Sequence, residues 1–272
     1  MATITRTPLS TGWEPDLAVG DSLLRRYLSC WAALCDTFAR AAGGRTATTP
    51  RFAAADYRRP GGWFNSATLR QPALDETFGE VLDDVETFFA GGRGRVHLWS
   101  PWPTPDLSSR GWELVGHPPL LVRPPGTLVP PPAPPAVDVA DVSDPAALTD
   151  WERVAVEGYP LPELLPVVPG TLADPSVLGD PRLRLSLGRD DGEAVSLGAL
   201  FCDFGVGCFA LGVTRPRSRR QGHWKAHAIR RITTAPDLWM TGVFSDDSRP
   251  AAERLGFVAV LRLTLWARPR PV

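Results

Sequence analysis

Apolar residues at Leu23, Leu24, Tyr27, Leu28, Trp31, Leu34, Cys35 and Phe38 recur at steps of three and four. That is the period of a helix with one buried face, so the pattern predicts a helix capped by Asp21 or Ser22 and ended by Gly43-Gly44. A second helix is predicted from Asp75 to Ala90, with Phe78, Val81, Leu82, Val85, Phe88 and Phe89 on one face and Gly91-Gly92 as its stop. The pattern then shortens to the strand period at 95–100, 112–116 and 119–122, with a turn-rich stretch after the first of these.

From Pro124 to Ala136 the chain reads P-P-G-T-L-V-P-P-P-A-P-P-A, which can form neither a helix nor a central strand because proline lacks an N–H and fixes φ. It is expected to be a stiff connector between two halves, 1–123 and 137–272. After it, an alternating strand at 137–142 leads to a helix from Asp144 through Glu157 and a proline-broken loop at 159–170. Strands follow at 182–187, 193–204 and from 204 or 206 to 213, then a helix at 222–233, a strand at 238–244, a short helix at 250–255 and one last strand at 257–266. The order β-α-β-β-β-α-β-α-β predicts an α+β fold with a mixed central sheet flanked by helices.

With 272 residues, 43% of them hydrophobic, the chain can bury one large core or two of ordinary size. A net charge of −1 disfavours nucleic acid as a partner, while leaving room for a local basic patch. Cys30, Cys35, Cys202 and Cys208 lack metal-ligand spacing, so reduced thiols and no metal are expected. His223 and His227 stand four apart, but no H-E-x-x-H carboxylate accompanies them. No apolar run approaches the roughly 20 residues that span a bilayer, and no signal peptide is read, so a cytoplasmic protein with no membrane partner is expected. The chain also lacks a G-x-S-x-G elbow and a G-x-x-x-x-G-K-S/T loop, which disfavours hydrolase and nucleotide triphosphatase chemistry.

The densest chemistry lies at V-T-R-P-R-S-R-R-Q-G-H-W, Val213 to Trp224. An apolar strand runs into an arginine-rich turn and then a helix, which is how backbone N–H groups come to cradle a phosphate. Arg215, Arg217, Arg219 and Arg220 would add guanidinium groups to it. The turn resembles the R/Q-x-x-G-x-G/A signature of the GCN5-related N-acetyltransferase superfamily, here Arg219-Arg220-Gln221-Gly222-His223-Trp224. E-R-L-G-F at Glu253 to Phe257 resembles that family's last helix and strand. The first half, with Trp63-Phe64-Asn65, a long helix and V-H-L-W-S, is similar to the worn first module of its two-module members. The resemblance implies two tandem modules, the second binding an acyl donor as coenzyme A thioester or phosphopantetheine. Leu211, Gly212 and Val213 would pair with the pantetheine arm, and Arg219, Arg220, Gln221, Gly222, His223 and Trp224 would hold the pyrophosphate. A small-molecule amine would be the acceptor, and an acyl carrier protein is a further partner if the donor is carried by one.

Two positions depart from the family pattern. Trp224 stands where a small residue lets phosphate approach the backbone, and Ala252 stands where many members place the tyrosine that protonates the leaving thiolate. Ser245 could replace that tyrosine at the leaving thiol. For amine deprotonation the residues Glu157, Tyr159, Asp203, Asp246 and Asp247 lie near predicted strand or loop ends, and Tyr159 and Asp203 stand with Ser245 as catalytic candidates. Trp63 and Trp102, beside glycines and prolines, are candidates for lining an acceptor cleft. The rivals to acyl transfer to an amine, with its place in specialised metabolite biosynthesis, are three. One is a non-catalytic binding or regulatory protein of the same fold, one uses aminoacyl-tRNA as donor, and one decarboxylates a thioester.

Overall fold

The computed structural model describes residues 23–59, 62–73, 75–126, 137–159 and 161–270. The predicted caps Asp21 and Ser22, and the connector from 127 to 136, lie outside the described residues.

Five helices and thirteen strands alternate along the described chain. The first half holds α1 (Leu23–Ala41), β1 (Arg45–Thr48), β2 (Phe52–Asp56), β3 (Ser66–Leu69), α2 (Asp75–Phe89), β4 (Val96–Ser100), β5 (Glu113–Gly116) and β6 (Pro119–Arg123). The second holds β7 (Asp138–Asp141), α3 (Pro145–Gly158), β8 (Leu183–Asp190), β9 (Glu193–Asp203), β10 (Val206–Thr214), α4 (His223–Thr234), β11 (Trp239–Val243), α5 (Arg249–Glu253), β12 (Val258–Arg262) and β13 (Thr264–Arg268). Local chemistry sets these limits: Asp144 accepts N–H bonds from Ala146 and Ala147 (both 2.9 Å) with Pro145 opening α3, the arrangement of a strong N-cap.

Two mixed sheets result, in the orders β1-β2-β3-β4-β13-β5 and β12-β6-β11-β10-β9-β8-β7. Each contains the same unit. Three antiparallel strands (β1-β2-β3, or β8-β9-β10) lead into a helix and a fourth strand that runs parallel to the third. The parallel pair requires a crossover, which α2 and α4 supply. Each unit also lends its last strand to the other: β6 lies between β11 and β12, and β13 lies between β4 and β5. A cut between 123 and 137 would therefore leave each sheet without its inserted strand. The exchange is pinned past β13, where the Arg270 guanidinium donates to both oxygens of the fully buried Asp56 (3.1 Å each).

The exchange corrects one expectation. A single last strand was predicted at 257–266, yet β12 and β13 part at the buried Leu263, whose N–H donates to the Pro118 carbonyl (3.0 Å). No glycine or proline marks the step from one sheet to the other, so alternation alone reads through it. Strands β1 to β3 escaped the pattern as well. F-A-A-A-D and S-A-T-L are buried on both faces and built mostly from alanine, serine and threonine, and alanine is depleted in strands.

Helix α1 is buried widely because it lies between the sheets, touching β1, β2 and β3 on one side and β9 and β10 on the other. One apolar cluster therefore runs through both halves, from Tyr27, Trp31 and Phe38 to Trp151, Phe201 and Leu211. A second cluster joins α2 to the outer face of the first sheet, and a third joins α4 to β10, β11 and α5.

Candidate functional site

Strand β10 pairs with β9 along its length, with a bulge between Phe209 and Leu211, but pairs with β11 only from Val206 to Phe209. Beyond the bulge, Leu211 to Thr214 run on without β11, so the two parallel strands splay and leave main-chain groups for other partners. The Gly212 N–H donates to the Tyr159 hydroxyl (3.0 Å), and the Leu211 carbonyl accepts from Arg231 Nη1 (3.0 Å).

Tyr159 arrives there as the C-cap of α3. Burial raises its pKa, against the Gly212 N–H and the positive charge of Arg231, which both lower it. The hydroxyl is protonated at neutral pH and stands beside a cation that would favour its anion. Its ring lies 5.1 Å from that of Trp63, which in turn stacks on His97 at 5.9 Å. The first half of the chain thus reaches one side of the splay through Trp63. Trp102 is placed differently, packed against the first and second apolar clusters.

Arg231 went unremarked in the sequence. It is buried with no carboxylate partner among the described residues, and burial pushes its pKa down to about 10. Besides Leu211 it donates to the carbonyls of His227 (3.2 Å) and Ala199 (3.4 Å), and its guanidinium carbon lies 3.9 Å from the centre of the Phe209 ring. One turn earlier, His227 is fully buried, with Nδ1 2.8 Å from Ser186 Oγ and Nε2 3.0 Å from Ser196 Oγ. The signal for both residues was in the sequence, as two polar side chains four apart within the buried stripe of Ala228 and Ile232.

The turn between β10 and α4 corrects the expected basic cluster. Arg215 is buried and held between Glu157 (2.8 Å) and Glu193 (2.8 Å), and Arg217 pairs with Glu193 too. Arg219 donates to the carbonyls of Thr214 (3.2 Å) and Gly158 (3.1 Å), clamping the turn onto the end of α3. Arg220 and Gln221 are exposed. Two of the four arginines are therefore neutralised, one braces the backbone, and Arg220 faces solvent. Gly222 is the N-cap of α4 at φ +91°, a left-handed conformation that suits glycine and offers no side chain to cap the helix. Among the described residues no side chain caps the first amides of α4, at the positive end of a 12-residue helix. His223, buried at that end, has an Nδ1 with no hydrogen-bond partner among the described residues.

Trp224 bridges the splay. Its Nε1 lies 3.6 Å from the point a Cβ on Gly212 would occupy, and its ring meets Phe244, just past β11, at 6.3 Å. The same Cβ would stand 3.2 Å from Arg231 Nη2, so a side chain at Gly212 would require the guanidinium to give by a few tenths of an ångström. Val213 turns its side chain toward Gly158.

The remaining candidates lie elsewhere. Asp203 pairs with Arg182 (2.8 Å) in the β9–β10 hairpin, opposite Val206 at the far end of β10. It is removed from Gly212 by roughly 20 Å of strand and cannot serve there. Ser245 accepts the Ser248 N–H (3.2 Å) and donates to Ser248 Oγ (3.0 Å), so its hydroxyl organises the start of α5. Ala252, in the place of the family tyrosine, is fully buried in the third cluster. Glu157 and Asp246 are engaged with Arg215 and Arg262. Among the described residues no group of three or more His, Cys, Asp or Glu side chains could hold a metal, and no helix is long and apolar enough to cross a membrane.

Solved structures share this architecture. A GCN5-related N-acetyltransferase from Kribbella flavida superposes with a TM-score of 0.60 at 19% identity, over 88% of this chain and 96% of its own. A candidate acetyltransferase of the GNAT family from Novosphingobium aromaticivorans gives 0.57 at 14% identity, over 93% and 100%. The chain has the GCN5-related N-acetyltransferase fold. A functionally unknown conserved protein from Staphylococcus epidermidis also matches it, at 0.59 and 12% identity over 82% and 93%, so the likeness is one of GNAT architecture and leaves activity to be argued from the site. No protein-family model and no curated protein matches the chain.

Proposed function

We propose that this GNAT-fold chain is an N-acyltransferase that binds an acyl thioester at the splay of its second module and passes the acyl group to an amine. The observation that carries the reading is the Tyr159 hydroxyl, 3.0 Å from the Gly212 N–H beside the bulge in β10. It supplies the proton donor that Ala252 cannot. The hydroxyl holds the place a thioester carbonyl would take on that N–H. With the carbonyl there, the amide polarises it and the displaced hydroxyl remains beside the sulfur.

The amine nitrogen attacks the carbonyl carbon, and the oxygen gathers negative charge against the Gly212 N–H. The C–S bond then breaks, the thiolate takes the Tyr159 proton, and the nitrogen gives its own proton to water, because Glu157 and Asp246 are engaged with arginines. Arg231 supports the transient phenolate. The first amides of α4 and the exposed Arg220 would hold the phosphates of the donor. Coenzyme A and a carrier-protein phosphopantetheine share the thioester arm. Thiol release from acetyl-CoA, longer acyl-CoAs and acyl carrier proteins across a panel of amines tests the reading and separates the two. If none of these donors binds or reacts, it fails.

Two variants probe the donor path. Arg220→Ala, exposed and outside any ion pair among the described residues, should weaken donor binding about fivefold to tenfold, the size of one exposed charge-assisted contact. Its melting temperature should stay unchanged, and calorimetry that finds equal affinity would remove the turn from the site. Trp224→Ala should tighten donor binding several-fold by opening the splay, while losing about 2 kcal/mol of stability from a half-buried indole. Weaker binding would instead make the indole a surface for the donor. A second reading, a binding protein without turnover, draws on Trp224 standing in the splay, and binding of acyl-CoA without thiol release for any amine would favour it.

A further inference from the structure

Beneath α1, on the face of the first sheet turned toward that helix, lies a cavity of about 210 Å³. A benzene-sized molecule fits a cavity of roughly 150 Å³, so the space accommodates a ligand somewhat larger than that. It exists because the residues around it are small, with Ala32 and Ala33 of α1 lining it along with alanines of β1 and β2. Ser66 and Thr68, two apart on β3, line it too. Ser66 is 2% exposed, and its hydroxyl faces the Cys35 thiol, which also lines the cavity. A thiol is a weak partner for a hydroxyl, so a polar ligand atom in the cavity would bond Ser66 more strongly.

Arg70, directly after β3, marks one end of the space. Its Nη1 donates to the Thr49 carbonyl (2.9 Å), and it has no ion pair among the described residues. Burial and then the nearby charge of Arg25 lower its pKa, so two guanidinium groups stand close together. A smaller hollow of about 100 Å³ adjoins at Ser29 and Arg70 and is lined by Arg25 as well. Asp36, the one carboxylate lining either space, is tied to Arg40 (2.6 Å). Arg70 thus brings a guanidinium without an ion pair among the described residues to one end of a small apolar chamber. Phe204, from the β9–β10 hairpin of the second module, supplies an exposed aromatic wall.

We propose that this cleft is a second ligand site, separate from the splay, for a small aliphatic carboxylate. Arg70 would hold the carboxylate, the alanine walls the hydrocarbon body, and Ser66 any polar substituent. The site does not depend on acyl transfer at Gly212.

Titration calorimetry of the full chain with straight-chain carboxylates from propionate to octanoate, and with 1-hexanol, tests it. One of the carboxylates should bind with a Kd of about 1 mM or tighter, and 1-hexanol about tenfold more weakly than hexanoate. Arg70→Gln should weaken the carboxylate about tenfold. Ala32→Leu, on the half-buried face of α1 where leucine keeps the helix, should abolish binding by filling the chamber. The two variants lie on different elements, and near-ultraviolet circular dichroism checks that each is folded. The proposal is overturned if no carboxylate binds at about 10 mM, if affinity survives both substitutions, or if coenzyme A competes with the carboxylate.

Discussion

Acidifying the protein from neutral pH to about pH 4 should remove about 3 kcal/mol of stability through His227 alone. Burial, then the charges of Arg231 and His223, push its pKa from 6.5 down to about 3. The imidazole, between Ser186 and Ser196, is therefore neutral in the folded state throughout that range. The unfolded chain takes up a proton below the ordinary histidine pKa while the folded chain does not. More protons bound to the unfolded state means that stability rises with pH, so it is lost as pH falls from about 6.5 toward 3. Denaturant melts across this range should show the loss. His227→Gln can still bond either serine but cannot titrate, so it should start less stable and lose about 3 kcal/mol less on acidification. Equal losses in the two proteins would mean that the imidazole already exchanges protons with solvent in the native state.

Much of the fold was legible because its long helices and the strands of the second half carry strong periods. Tyr27, Trp31, Leu34 and Phe38 mark the buried face of α1 in the sequence, and the structure buries all four. The pattern could not show that α1 faces two sheets, since a helix buried on a wider arc adds small residues such as Cys30 and Ala39 that any face tolerates. Nor could it show the exchange of β6 and β13. Whether a strand pairs with its own module or the other depends on long-range register, and V-A-V-L-R-L-T-L-W alternates as well in one sheet as across two.

The site was legible in position more than in chemistry. The strand, the turn and Gly222 fell where the spacing placed them. The role of each arginine did not, because a basic cluster in sequence says nothing about carboxylates that arrive from distant strands. Glu193 lies on β9 and Glu157 on α3, and together they neutralise Arg215 before any ligand is considered. Tyr159 was one of several proton-transfer candidates, and only the contact with Gly212 separates it from them. On the proposed function, Tyr159 takes the role that Ala252 cannot fill. The end of α5 is packed as apolar core, and a hydroxyl reaches the splay from the end of α3 instead.

Tyr159→Phe should lower kcat for amine acylation by about a hundredfold, at the lower end of the range for a positioned general acid. The phenyl ring keeps the contact with Trp63, so KM for the donor should change little, and the freed Gly212 N–H remains available to the thioester carbonyl. Loss of one buried hydrogen bond should take about 1 kcal/mol from stability, which melting measures separately. The wild-type rate should fall on the alkaline side as Tyr159 loses its proton, at a pH above that of an ordinary tyrosine because burial raises its pKa. That limb should vanish in the variant. The decisive comparison varies the leaving group. An aryl thioester departs as a stable thiolate that needs no proton, so it should be turned over by Tyr159→Phe at close to the wild-type rate, while the alkyl thioester remains slow. If both thioesters are slowed equally, the hydroxyl positions the substrate and another group protonates the thiolate.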